Sequence, residues 1–347
     1  MSSLIALLGI NFIIVIHELG HFWAARYLGV GVHEFAVGMG PVIAKRRGRR
    51  TLYTFRLFPI GGFVRVAGMD DSDEPMDASV NEGLFYNQTR WGRALILVAG
   101  SVMNLVLAFV LFSLVYGVSG KPVLQPVVAA VSSGMPADTI GMQTGDRILE
   151  VDGMAVTDVR LDIIERIQAS NGQQVLLTIQ RSGLVKLLST QPVESGDGYK
   201  IGVSFGVDYE PTTPIRAVVD GARMTGSSIL TTLTTIQLLI AQTVQFSDLM
   251  GPVGIVQVVG SQELGTQLVA ILAMISVALG VFNLFPFPVL DGGHLLLLGI
   301  EAVRNKRLSA IWERRINQAG MAVLLVVMLM VLFQDISQWS MRADQLR

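Results

Sequence analysis

The sequence predicts a polytopic α-helical membrane protein of about four transmembrane helices, with a membrane-associated β-hairpin or sheet and an inserted extracytoplasmic α/β domain. Three observations carry this. Hydrophobic residues make up 51% of the chain and charged residues only 15%, with a mean hydropathy of +0.54, a charge deficit foreign to soluble domains. Several uncharged stretches approach or exceed the ~20 residues a helix needs to cross hydrocarbon. Between them lie two regions of different texture, 31–93 and 119–210, with β-branched or aromatic runs separated by turn residues. The net charge of −1 argues against a nucleic-acid partner, which usually needs a basic face. The chain has no Cys, so disulfides and thiolate chemistry are excluded, and any metal site must draw on His, Asp or Glu.

Residues 1–30 hold the first span. It lacks a basic leader and a small-x-small cleavage site and reads as a retained segment. Residues 31–93 read as strands: "HEFAVGM", "LYTFRLF" and "GGFVRVAGM". Residues 94–118, "ALILVAGSVMNLVLAFVLFSLVYGV", carry no charge and make a second span. Residues 119–210 form the soluble insert, and 211–262 a linker with a Thr- and Ser-rich helix over 224–246. Its weak hydropathy favours lying at the interface or against the bundle over crossing. Residues 263–300 make a third span broken at "NLFPFPVLDGG", 301–315 a basic loop, and 316–347 a fourth span and tail. Lys and Arg cluster in 26–93, which includes "KRRGRR", and again in 301–315, so both should be cytoplasmic. The N-terminus and the insert then lie outside.

"IHELGHFWAARYLG", residues 16–29, is costly for a membrane helix, since an ionisable side chain at such depth costs roughly 3 kcal/mol on insertion scales. Positions i and i+4 lie roughly 40° apart around a helix. His17 and His21 therefore face one way and can share one Zn²⁺, with Glu18 beside them as a general base. A catalytic zinc usually has three protein ligands and an open position. Asp291, after the break made by Pro286 and Pro288, is the leading third ligand. It could also cap the helix "GGHLLLLGIEAVR", and the two roles are compatible. His294 is the alternative ligand.

The phrase "SSGMPADTIGMQTGDRILEVDG" resembles the signature of bacterial PDZ domains, so the insert is expected to be PDZ-like. HELGH on a first span with NLFPFPVLDGG on a later one resembles the site-2 protease family of intramembrane zinc metalloproteases. The single insert and "FPIGGFVRVAG" are similar to its bacterial regulator-of-sigma-E branch. The best-known enterobacterial relatives carry two PDZ units in tandem, and this chain has room for one.

The resemblance implies one Zn²⁺ per chain on His17, His21 and Asp291, with Glu18 catalytic. It also implies a helix-breaking substrate region at Asn283, Pro286, Pro288, Asp291 and Gly292. Gly100 and Asn104 resemble the family's second-span motif, and small-residue helix packing explains that pair equally well. The implied substrate is a single-span membrane protein, such as a shortened anti-sigma factor or a remnant signal peptide, in a bacterial cytoplasmic membrane. The active site then lies in the cytoplasmic half of that membrane. A helical peptide bond is shielded, so the substrate must unwind. The strand edge at "PIGGFVRV", with Gly61 and Gly62 allowing close approach, could then pair with it, and Asn283 could hold a backbone amide. The PDZ-like domain would exclude bulky outer domains or bind an exposed C-terminus, with "YKIGVSF" at 199–205 as a candidate carboxylate loop. A zinc transporter and a non-catalytic PDZ-bearing scaffold with structural zinc are the alternatives.

Overall fold

The computed structural model describes residues 2–69, 83–195, 198–241, 251, 254–256, 259, 265–307 and 309–337. The chain divides into two compact units, residues 119–212 and the remainder.

The larger unit is a helical bundle carrying a small sheet. Among the described residues, four of its helices are long and apolar enough to cross a membrane: α1 (Ser2–Tyr27), α2 (Arg90–Ser119), α6 (Thr266–Asn283) and α8 (Ala310–Ser337). Because lipid is as apolar as Leu, such helices are held by close packing and buried polar contacts. Gly20 of α1 faces the α2 backbone so closely that a Cβ there would stand 2.3 Å from the Ala99 carbonyl oxygen. The Ser276 hydroxyl of α6 donates to the Asn104 carbonyl of α2 at 2.8 Å. Helix α5 (Pro214–Ile240) packs on this bundle, with Gly221 against Ser113 of α2 and Ile236 in a cluster with Phe112 and Val277. It is not among the four apolar spans. Residues 242–246 of the expected helix lie outside those described.

The third span is interrupted where the prolines fall. Helix α6 ends at Asn283, and the short α7 (Asp291–Arg304) begins after a seven-residue break. Its N-cap position is Leu290, which makes no side-chain cap, so Asp291 is the first helical residue rather than the cap. Helix α7 is anchored at its far end by an ion pair of 2.7 Å between Glu301 and Arg93 of α2, both buried. Helix α8 begins at Ala310, earlier than the apolar stretch alone suggests, because Glu313, Arg314 and Arg315 continue the helical turn.

Strands β1 (Val32–Arg47) and β2 (Leu52–Val66) form the sheet of this unit. Both are long and irregular in register. Residues 32–37 pair antiparallel with 62–66 and also lie beside 52–55, while 42–47 pair with 52–56. Two strands thus make four neighbouring segments, and the three runs read from sequence are parts of them. Buried Glu34 ties the middle together, accepting from Thr54 Oγ1 at 2.6 Å and Arg56 Nη2 at 2.8 Å. Segment 62–66 is outermost, and among the described residues no strand lies beyond it.

The insert is an α/β unit. Its six-stranded sheet has the order β10 (Val203–Glu210), β3 (Lys121–Val131), β4 (Arg147–Val151), β6 (Val175–Arg181), β7 (Leu184–Thr190), with β5 (Met154–Ala155) on β4. The short pair β8 (Val193–Glu194) and β9 (Tyr199–Lys200) stands apart from it. The expected Pro-Ala helix is α3 (Pro136–Thr139), and "RLDIIERIQAS" forms a π-helical stretch, Arg160–Glu165, running into α4 (Arg166–Ala169). Ile148, Ile163, Leu177 and Ile179 fill the core. Ile201, in the expected carboxylate loop, is itself buried in that core, and its carbonyl accepts from Ala137.

The turn before β4 is fixed by Asp146, which is fully buried and gripped by Arg181 through two contacts of 2.7 Å. The Arg181 guanidinium holds the Asp146 carboxyl below the usual carboxylate range, against the effect of burial. A depressed carboxyl contributes stability above its unfolded pKa, and that contribution is lost as pH falls through the folded value. The insert is therefore expected to loosen below about pH 4. Arg181→Met strands a buried charge and should cost the insert about 3 kcal/mol at neutral pH. Hydrogen exchange of β4 and β6 amides in the full chain checks both: unchanged protection in the variant would refute the assignment.

Candidate metal centre

His17 and His21 lie on the face of α1 turned towards α2, both more than nine-tenths buried. Their rings meet edge to face, with centroids 4.8 Å apart. The break after α6 brings the Asp291 carboxylate to them. His17 Nε2 lies 3.1 Å from Asp291 Oδ2, His21 Nε2 lies 3.3 Å from the same oxygen, and the two nitrogens are 3.1 Å apart. A tetrahedral site with bonds of about 2.0 Å has edges of about 3.3 Å, so three such atoms form one face of it. Asp291 Oδ2 is buried without a hydrogen-bond partner, as a carboxylate oxygen left for a cation would be. The residues present fit a divalent ion of the zinc type.

Both histidines have polar neighbours behind them on α2. The His21 ring uses Nδ1 to bond the Ile96 carbonyl of α2 at 2.8 Å, leaving Nε2 for the site. Asn104 of α2, fully buried, lies beside His17, its side-chain nitrogen 3.5 Å from Nδ1. Gly100 stands between these two α2 residues. A Cβ there would fall 2.3 Å from His21 Nε2 and 2.8 Å from His17 Nε2. Val289, two residues before Asp291, has a φ of 81°. A β-branched residue rarely adopts this, at a cost of about 1–3 kcal/mol, and here it accompanies the turn that delivers the carboxylate.

Glu18 projects beside the triad towards the sheet. Its Oε2 accepts the Val64 backbone N–H at 2.9 Å, on the outermost segment. Triad, Glu18 and strand edge share a cavity of ≈ 360 Å³, walled by Ile14, Val64, Val66, Met69, Ile96, Leu279, Asn283, Val289 and Leu290. Beside the titratable groups and Asn283 its lining is apolar, which suits a backbone segment carrying apolar side chains.

The sequence pattern of Peptidase family M50 matches residues 5–327. The chain belongs to peptidase family M50. It is similar to a protein of Clostridium acetobutylicum named "putative zinc metalloprotease", 34% identical over 96% of this chain and 97% of the relative. A Clostridium perfringens protein so named is 32% identical over 97% and 98%, and one from Fusobacterium nucleatum 30% over 97% and 98%. Among solved structures, the PDZ domain of the SdrC-like protein of Listeria monocytogenes is 22% identical, covering 23% of this chain and 84% of that one, at a TM-score of 0.21.

In this M50 chain the structure gathers His17, His21, Asp291, Glu18 and Asn283 around one cavity. Gly62 is close by, its Cβ direction 3.9 Å from Glu18 Cγ. Gly61, with a φ of 81°, sits against Met39 instead. Pro288 packs on Gly320 of α8, and Gly292 presses on the Leu284 and Phe285 carbonyls, so both shape the break rather than line the cavity. Pro286 lies in the break and does not line the cavity either. His294 turns away from the triad: its Nδ1 is 3.9 Å from Glu313 Oε1, in a separate pocket with Arg93 and Glu301. Sequence reasoning named Val64 only within the candidate strand edge, and it missed Ile96 and Ser276. The first two act through backbone groups, which carry no side-chain signature. Ser276 left one signal, a hydroxyl within an apolar span.

Proposed function

We propose that this M50 protein is an intramembrane zinc metalloprotease that hydrolyses a peptide bond within or near the transmembrane segment of single-span membrane proteins. The observation that carries it is the meeting of three metal-type donors with a carboxylate tethered to a strand edge, inside a membrane-type bundle. His17, His21 and Asp291 would hold one Zn²⁺. Zinc so held supplies a Lewis acid that makes water a nucleophile near neutral pH and polarises a carbonyl. Glu18 takes the proton of the attacking water and returns it to the leaving amine. Its tether to Val64 keeps it beside the strand edge, where an unwound substrate adds as a further strand through main-chain bonds. Asn283 reaches the same cavity and holds a substrate amide.

Lys and Arg in 26–93 and 301–315 support a cytoplasmic placement for the sheet and the centre, with the insert outside. The insert then meets the outer part of the substrate, as a filter on bulk or a binder of a free end. Resemblance to the regulator-of-sigma-E branch supports a pre-trimmed anti-sigma factor or a remnant signal peptide as substrate.

The test uses purified full-length protein, a single-span substrate and metal analysis. Cleavage is expected within or next to the span, lost on chelation and restored by zinc. Asp291→Ala should lose most bound zinc, whereas His294→Ala should keep it. Chelator-resistant cleavage, or zinc retained by Asp291→Ala, would overturn the reading.

A further inference from the structure

We infer that Asn104 is a positioning residue: it holds His17 in the tautomer that can bind metal, its amide turned so that Oδ1 faces the ring. This rests on the metalloprotease reading. An imidazole that offers Nε2 to a metal carries its proton on Nδ1 and needs an acceptor there. His21 has one in the Ile96 carbonyl, which can only accept, so its proton is on Nδ1. The corresponding group for His17 is the Asn104 amide, with the side-chain nitrogen 3.5 Å from Nδ1.

An amide nitrogen only donates. Facing the ring, it would require a bare Nδ1 and put the proton on Nε2. That atom lies 3.1 Å from both His21 Nε2 and Asp291 Oδ2, so a proton there would block the face built for a cation.

Asn104 is fully buried, and its Oδ1 has no hydrogen-bond partner, so no second contact fixes the amide with its nitrogen towards the ring. Nitrogen and oxygen of the amide have nearly the same shape, and only the hydrogen-bond network tells them apart. Turning the amide about its last torsion gives Oδ1 the Nδ1–H of His17. The residue can act as a fixed post, because its own carbonyl is bonded by the Ser276 hydroxyl at 2.8 Å. Asn104 and Ile96 then do the same work for the two histidines, one through a side-chain carbonyl and one through the main chain.

The test measures zinc affinity by competition with a chromophoric chelator, on full-length protein in detergent. Asn104→Leu keeps the volume and removes the acceptor, and is expected to bind zinc about 10- to 100-fold more weakly. Asn104→Asp restores an acceptor and should return affinity close to wild type. Independently of any variant's folding, ¹⁵N NMR of ring-labelled, metal-free wild type should find His17 protonated at Nδ1. Wild-type affinity in Asn104→Leu, equal loss in both variants, or a proton on Nε2 would each overturn the assignment. A wild type that binds no zinc would bring down the metalloprotease reading as well.

Discussion

Glu18→Gln is expected to abolish cleavage of a single-span substrate while leaving the zinc content of the protein unchanged. Gln has the shape of Glu, and its amide oxygen can still accept the Val64 N–H that Glu18 Oε2 accepts at 2.9 Å. The side chain should stay where it is. It can no longer take a proton, and loss of a positioned general base costs about 10²–10⁴-fold. Glu18 is not one of the three donors grouped closely enough to hold a common ion, so metal affinity should hold. Single-turnover cleavage and metal analysis on one preparation read both quantities. The pairing of outcomes separates the protease from its rivals: a transporter or a scaffold with structural zinc has no use for a base at this position, and neither predicts the split. Cleavage at the wild-type rate would sink the mechanism.

The second large effect is expected at Gly100. A methyl group there would stand 2.3 Å from His21 Nε2 and 2.7 Å from His17 Cε1, distances that real side chains do not tolerate. The rings cannot simply retreat, because the His21 ring is held from behind by the Ile96 carbonyl at 2.8 Å. Overpacking of this kind costs about 1–3 kcal/mol. If the displacement falls on the ligands, Gly100→Ala should weaken zinc binding by about 5- to 150-fold, the equivalent of that cost. Gly117, in the same helix but remote from the rings, has only the Ala217 Cβ near its own Cβ position, at 3.8 Å, and Gly117→Ala serves as the control. Equal zinc affinity in Gly100→Ala and wild type would return Gly100 to ordinary helix packing.

Much of the fold was legible in the chain itself, and the reasons are local. A span declares itself because hydrocarbon tolerates no unpaired charge over its thickness, so 94–118 and the other uncharged runs stand out. The break after Asn283 was legible because Pro286 and Pro288 cannot donate backbone bonds. The sheet was less so. Its strand-forming runs were visible, but a β-pattern does not name its partners. The edge at "PIGGFVRV" was named from sequence, but only the fold sets 32–37 between it and 52–55.

The centre divides along the same line. The sequence by itself determined that His17 and His21 share one helical face, with Glu18 beside them, because an α-helix has a fixed pitch. It also limited the third donor to His, Asp or Glu, because the chain has no Cys. What only the tertiary structure decided is that Asp291, and not His294, meets the two imidazoles, though the two lie three residues and nearly one turn apart on a single short helix. One points to the imidazoles and the other to Glu313. The same holds for the tether of Glu18 to Val64 and for the approach of Gly100 to the rings. These depend on how α1, α2, α7 and the sheet are set against one another. Contacts between residues 19 to 274 positions apart leave no trace in local periodicity, and backbone groups look alike in every sequence.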